Sequence, residues 1–195
     1  MSMPAFDEAS LTSQAAFRAV METFARPGTA CTLQRVAGPS TLAPATASLI
    51  RALADYETPV WLDASLADDR GIRDWIRFET GAPVTTDPAE AAFALLADAQ
   101  QMPSFAGFAL GTPDYPDRST TIIVQVEGFD GAPIVVTGPG IKTTATISPQ
   151  VLPPDFAERW ADNHQLFPRG VDLVLAAGDR IVALPRSVRL RKEHS

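Results

Sequence analysis

The side chains that most often bind metals, form Schiff bases or activate nucleophiles are scarce in this chain. It has two histidines, His164 and His194, one cysteine, Cys31, and two lysines, Lys142 and Lys192. A zinc site usually takes three or four His, Cys or acidic ligands, and this chain offers few of the first two kinds. An iron–sulfur cluster held by three or four cysteines cannot be built within it. A Ser-His-Asp triad would have to use His164, and no G-x-S-x-G turn presents a serine. A pyridoxal phosphate enzyme needs a lysine for its internal Schiff base. Lys192 stands next to the terminus, so that role would fall to Lys142. Neither a P-loop nor a strand-borne G-x-G-x-x-G is present, which argues against a standard phosphate cradle.

Two segments remain that could touch a ligand. Thr137-Gly-Pro-Gly-Ile141 follows a β-branched run. Its glycines could let backbone N–H groups approach an anion closely, or they could simply make a tight turn between strands. Phe167-Pro-Arg-Gly-Val-Asp172 opens a later apolar run. Gly170 there suits a turn conformation that a Cβ would forbid. Asp172 either caps nearby backbone N–H groups or faces a cleft.

The elements that must position these residues follow from periodicity. Phe17, Val20, Met21 and Phe24 fall at i, i+3, i+4 and i+7, predicting a helix over 10–25 with that face inward. Arg26-Pro27-Gly28 ends it. A short strand is expected at 29–33. A small-residue helix is expected at 42–54, capped by Ser40 or Thr41. Pro59–Leu62 reads as a buried strand, and a third helix is expected over 66–79, with Ile72, Trp75 and Ile76 inward. Asp87-Pro88 resembles a helix start, and 93–96 another strand. The segment 111–117 is the clearest long loop. The β-branched run 120–126 and the run 133–136, joined across Asp130-Gly131, predict a hairpin. A helix is expected from Pro154 to Gln165 with Phe156 and Trp160 on one face. The runs 171–176 and 180–184 around Gly178-Asp179 predict a second hairpin. The pattern is an α/β fold: a mixed sheet with antiparallel hairpins, flanked by helices, rather than a regular βαβ repeat.

Bulk properties narrow the partners. With 195 residues, 46% of them apolar, the chain can bury one good-sized core, and a single domain is expected. A formal charge of −7 and the lack of basic runs interleaved with aromatics disfavour nucleic acid. The densest basic stretch, 186–192, reads as a solvated terminal strand and tail. A lone cysteine, no signal-like segment over 1–12 and no run of about 20 apolar residues predict a cytosolic protein away from membranes.

Six segments, in order along nearly the whole chain, carry a family resemblance. They are Ala16–Phe24 running into Pro27-Gly28, Thr58–Leu62, Ile76-Arg-Phe78 with Thr80 and Ala82-Pro83, Thr137-Gly138 with Gly140-Ile141, Phe167-Pro168 with Gly170 and Asp172-Leu173, and Leu184-Pro-Arg186. Together they resemble the H family of phosphonate metabolism proteins, which are subunits of the bacterial carbon–phosphorus lyase core complex. The stretch 97–119 matches little. The resemblance implies a three-layer fold like a reduced pyridoxal-phosphate transferase, without the cofactor. It also implies a homodimer that joins subunits G, I and J, and with them L. That machinery couples a phosphonate to ribose C1 of ATP with release of adenine, and its J component then cleaves the carbon–phosphorus bond by iron–sulfur chemistry. With one cysteine, this chain is not the J component. The role expected is mainly structural and partner-binding. The alternatives are a contribution of phosphate or nucleotide contacts to a shared site, and an independent small-molecule binding domain or enzyme. Because Arg77 and Arg186 fall inside matched segments, an anion site is expected from Thr137, Gly138, Gly140, Arg77 and Arg186, with Asp172 nearby. Against it, each arginine could pair with one of the 23 acidic residues.

Overall fold

The computed structural model describes the backbone of residues 5–191 and the side chains of residues 11–191. A first helix, α1 (Ala5–Ala25), ends where expected, and the short strand β1 (Cys31–Thr32) follows. Helix α2 (Pro44–Leu53) starts on a proline, whose missing N–H costs nothing in the first turn. Neither Ser40 nor Thr41 caps it. The Ala43 N–H instead donates to the side chain of Gln125, from a strand far along the chain.

Strand β2 (Val60–Leu62) leads to two helices rather than the one expected: α3 (Ala64–Ala67) and α4 (Arg70–Thr80). Asp63 and Asp69 each accept a backbone N–H at the start of their helix, from Leu66 and Gly71. The second cap starts a new helix where the hydrophobic period alone runs straight through. Gly81, at φ 75°, closes α4. Strand β3 (Val84–Thr85), a single 3₁₀ turn at Pro88–Glu90 capped by Asp87, and strand β4 (Phe93–Leu96) come next.

Strand β5 (Thr121–Gln125) and strand β6 (Ile134–Thr137) do not form the hairpin expected across Asp130-Gly131. Instead, Gly131 N–H bonds Ser148 O at 2.8 Å, and β6 leaves for a second sheet. There it pairs antiparallel with β7 (Ala145–Ile147) and with β10 (Arg189–Leu190). Helix α5 (Phe156–Gln165) precedes the other expected hairpin, β8 (Asp172–Ala177) and β9 (Arg180–Leu184), which forms.

The larger sheet has seven strands in the order β1-β9-β8-β5-β4-β2-β3. From β3 to β8 the pairings are parallel, and β9 is antiparallel to both its neighbours. The architecture is therefore α/β, a mixed sheet with a small antiparallel sheet beside it. Alternation along the strands divides the interior in two. Ile123, Val174 and Leu95 face a core closed by α1, α2 and α4. Ile122, Val124, Leu173 and Leu175 face another, closed by α5, the small sheet and the stretch containing Met102, Phe105 and Phe108. The 97–119 segment thus gives the second core Ala99, Met102, Phe105, Phe108 and Leu110, while residues 112–115 are exposed.

Helix α1 meets the first core through Val20, with Ala19 and Phe24 packed against it, while Phe17 and Met21 are about half exposed. Of the expected inward face, Val20 and Phe24 therefore pack on the core, and Phe17 and Met21 do not. Trp61 packs on the second core, edge-on to Phe108 at 5.5 Å between centroids.

Candidate functional site

At the end of β6 the chain turns through Gly138–Ile141, closed by an Ile141 N–H to Gly138 O bond of 3.1 Å. The glycines are required by crowding and by backbone angle. A Cβ on Gly140 (φ 82°) would stand 2.1 Å from Ala25 O, and one on Gly138 (φ 154°) would stand 3.1 Å from Ser187 O. The turn is wedged between the end of α1 and the stretch that follows β9. Glycine at both positions thus has a structural cause whether or not an anion binds.

Arg186 leaves the end of β9 beside Asp172, which opens β8. Its side chain is 13% exposed and that of Asp172 18%. Nε donates to Asp172 Oδ1 at 3.1 Å, and one terminal nitrogen donates to Asp172 Oδ2 and to Ser119 Oγ. The other donates to Pro116 O at 2.8 Å and to Pro168 O at 3.4 Å. Arg186 N–H also bonds Asp172 Oδ1, at 2.8 Å. A guanidinium has five N–H donors, and all five here meet acceptors of the protein. Asp172 therefore neutralises Arg186, and the pair ties the 111–119 loop to the ends of two central strands.

A second basic group lies beside it. Arg189 sits opposite Thr137 in the β10–β6 ladder, and its Nε donates to His164 Nε2 at 2.6 Å. Since an arginine always keeps its protons, His164 must accept there and carry its own proton on Nδ1. That Nδ1–H points at Arg186 O, 2.8 Å away. The terminal nitrogens of Arg189 meet no partner among the described residues. Arg189 borders a cleft of about 740 Å³ with Thr137, Gly138, His164 and Ser187, which no carboxylate lines, and another of about 950 Å³ whose lining includes Asp155, Glu158 and Asp162. Arg186, Asp172 and Gly140 border an adjoining cleft of about 510 Å³ that shares Pro139, Phe167 and Ser187 with the first.

Five of the six residues expected at an anion site are therefore gathered in two neighbouring clefts. Arg77 is not among them. It lies exposed on α4, whose Ile72 and Ile76 pack in the other core. Arg189 and Ser187 are additions that sequence reasoning misses, and His164, weighed there only for a triad, joins them. The only signal for Arg189 is its place in the densest basic stretch, which reads equally as a solvated tail. Lys142 is exposed, just beyond the glycine turn. Among the described residues, no group of three His, Cys, Asp or Glu could hold a metal ion. Among them, too, no helix is long and apolar enough to cross a membrane.

Comparison with known proteins bears on this arrangement. The model of the bacterial phosphonate metabolism protein (PhnH) family matches residues 4–191. The chain belongs to this family. Among curated relatives, it is 42% identical over 191 residues to the alpha-D-ribose 1-methylphosphonate 5-triphosphate synthase subunit PhnH of Rhizobium meliloti (strain 1021). That match covers 97% of this chain and 95% of the relative. A putative C-P lyase subunit protein, HtxG, of Stutzerimonas stutzeri is 28% identical over 181 residues, covering 91% of this chain and 85% of the relative. Both clefts and both sheets lie inside the matched span, so they are features of a phosphonate metabolism protein of this family.

Proposed function

We propose that the chain is a subunit of a carbon–phosphorus lyase complex. It would support the step that couples an alkylphosphonate to ribose C1 of ATP with release of adenine. Its part there is mainly to hold partners, which the family resemblance identifies as subunits G, I and J, with L. The end-to-end likeness to a synthase subunit supports this place in metabolism. The observation that favours a structural role is Arg186, the cation expected to meet substrate, whose every donor is held within the chain. On the same reading the protein is a cytosolic homodimer of single-domain chains, shaped like a reduced pyridoxal-phosphate transferase and carrying no cofactor.

A second reading has its own observation. Arg189, Thr137 and Gly138 border a cleft without a carboxylate, and a guanidinium matches two phosphate or phosphonate oxygens at once. In that case the chain lends anion contacts to a shared site. One experiment addresses both readings. The chain, or its Arg189→Gln variant, is co-expressed with tagged subunits G, I, J and L, and ribosyl phosphonate triphosphate synthesis is measured in the captured complex. A subunit of either kind must be captured, and failure of capture rejects both. Equal KM in parent and variant favours the structural role. A KM raised about tenfold or more, with assembly intact, favours the shared site.

A further inference from the structure

Helix α4 turns its apolar residues inward and an unusual set outward. At 3.6 residues per turn, Arg70, Arg73, Asp74, Arg77 and Phe78 share the side opposite Ile72 and Ile76. Phe78 is 87% exposed, and Tyr56, beside the Gly81 that ends the helix, is 74% exposed. They are the two most exposed large apolar side chains among the described residues. Arg70 and Arg77 make no bond or ion pair among the described residues, while Arg73 reaches back to Ala67 O. A chain of net charge −7 thus presents a local cluster of three guanidinium groups beside a single carboxylate.

That cluster overhangs an open sheet edge. β3 is the last strand of the larger sheet and pairs only with β2. Val60 N–H bonds Pro83 O at 2.8 Å, and Val60 lies opposite Val84 in a parallel register. In that pattern the N–H and C=O of Val84 point away from β2. A cleft of about 610 Å³ runs between the arginine side of α4 and residues 81–84. Exposed edges accept an added strand, whose backbone supplies affinity while side-chain contacts supply specificity. Tyr, Phe and Arg are also the residues enriched where proteins meet.

We propose that this edge docks an extended, acidic segment of a partner protein. The segment pairs its backbone with Val84, sets carboxylates on Arg70 and Arg77, and packs an apolar side chain on Phe78 and Tyr56. The inference rests on the reading that the chain works inside a complex, and it adds the surface and the chemistry of what binds there. Arg70 and Arg77 are exposed, so an Arg70→Glu/Arg77→Glu variant should melt with the parent, which shows that any lost binding is local.

The test has two arms. In the first, parent and variant are captured by co-expressed tagged subunits G, I and J at low and high salt. The variant should be captured about tenfold less well, with the difference shrinking as salt screens the charges. Amide exchange at Val84 should slow in the parent complex. Equal capture of the variant, or unchanged exchange at Val84, overturns the proposal. In the second arm, a synthetic peptide of alternating glutamate and valine is titrated into the parent alone, following the Val84 amide by NMR. Peptide binding at Val84 without capture of any subunit leaves the edge site standing and rejects membership of the complex. Neither capture nor peptide binding rejects both. Capture that depends on Arg70 and Arg77 but leads to dimers of this chain alone overturns the acidic partner in favour of a second copy.

Discussion

Arg186 and Asp172 are coupled tightly enough that neither can be removed cleanly. Both side chains are less than a fifth exposed, and their attraction is reinforced by hydrogen bonds to Ser119, Pro116 and Pro168. Deleting one partner of such a pair leaves an uncompensated, largely desolvated charge, which typically costs about 3–5 kcal/mol. Arg186→Met should therefore lower the chemical denaturation midpoint strongly, because Asp172 is left with only the Arg186 backbone N–H. The paired change Arg186→Met/Asp172→Asn should recover a large part of that loss, since it removes the orphaned charge. A single variant within about 0.5 kcal/mol of the parent would show that the pair is not held as described. The pairing is not readable from local spacing, since 14 positions separate the two residues and many acids are available as partners. The glycines are readable. Gly138, Gly140 and Gly170 all adopt positive φ, as glycines clustered at strand ends often do. Arg189 is not, because a basic residue near a terminus carries no local mark of the sheet that holds it.

At the scale of elements, local chemistry reports each piece well and its neighbours poorly. The strand at 93–96 and the β8–β9 hairpin stand where alternation and Gly178-Asp179 place them. The hairpin expected of β5 and β6 has equally good turn residues and does not form. A turn fixes a change of direction, whereas the sheet a strand joins is decided by distant partners, here residues 145–147 and 189–190. Helix α1 shows a related effect. Periodicity locates the helix, and Val20 and Phe24 of the face it suggests pack inward, whereas Phe17 and Met21 stay about half exposed. The consequence is measurable in paired variants. Phe17→Ser should leave the melting temperature nearly unchanged, within the about 0.5 kcal/mol usual for surface changes. Leu49→Ala, at a fully buried position of α2, should cost about 2–5 kcal/mol. Should Phe17→Ser destabilise as much as Leu49→Ala, the face suggested by periodicity would be correct and the orientation of α1 wrong.

At the scale of the molecule, the two cores share one sheet. Each central strand sends alternate residues to opposite sides: Ile123 one way, Ile122 and Val124 the other; Val174 one way, Leu173 and Leu175 the other. Melting either core exposes one face of those strands and removes the packing that holds their register for the opposite face. The helices of the first core and α5 with the small sheet are therefore coupled through β4, β5 and β8, with no linker along which they could separate. The expected result is one unfolding transition for the whole chain, with far- and near-ultraviolet circular dichroism tracing the same curve. Leu49→Ala in the first core and Phe156→Ala in the second, buried at 0% and 3% exposure, should each move that single transition to lower denaturant. The second change should cost about 3–5 kcal/mol. Because the side chains lie on opposite sides of the sheet without shared partners, the two losses should add to within about 0.5 kcal/mol in the double variant, provided it still folds. The informative failure is a split: if Phe156→Ala produces an early transition that leaves the far side intact, the second core is a separately folding layer. The single-domain reading would then fall.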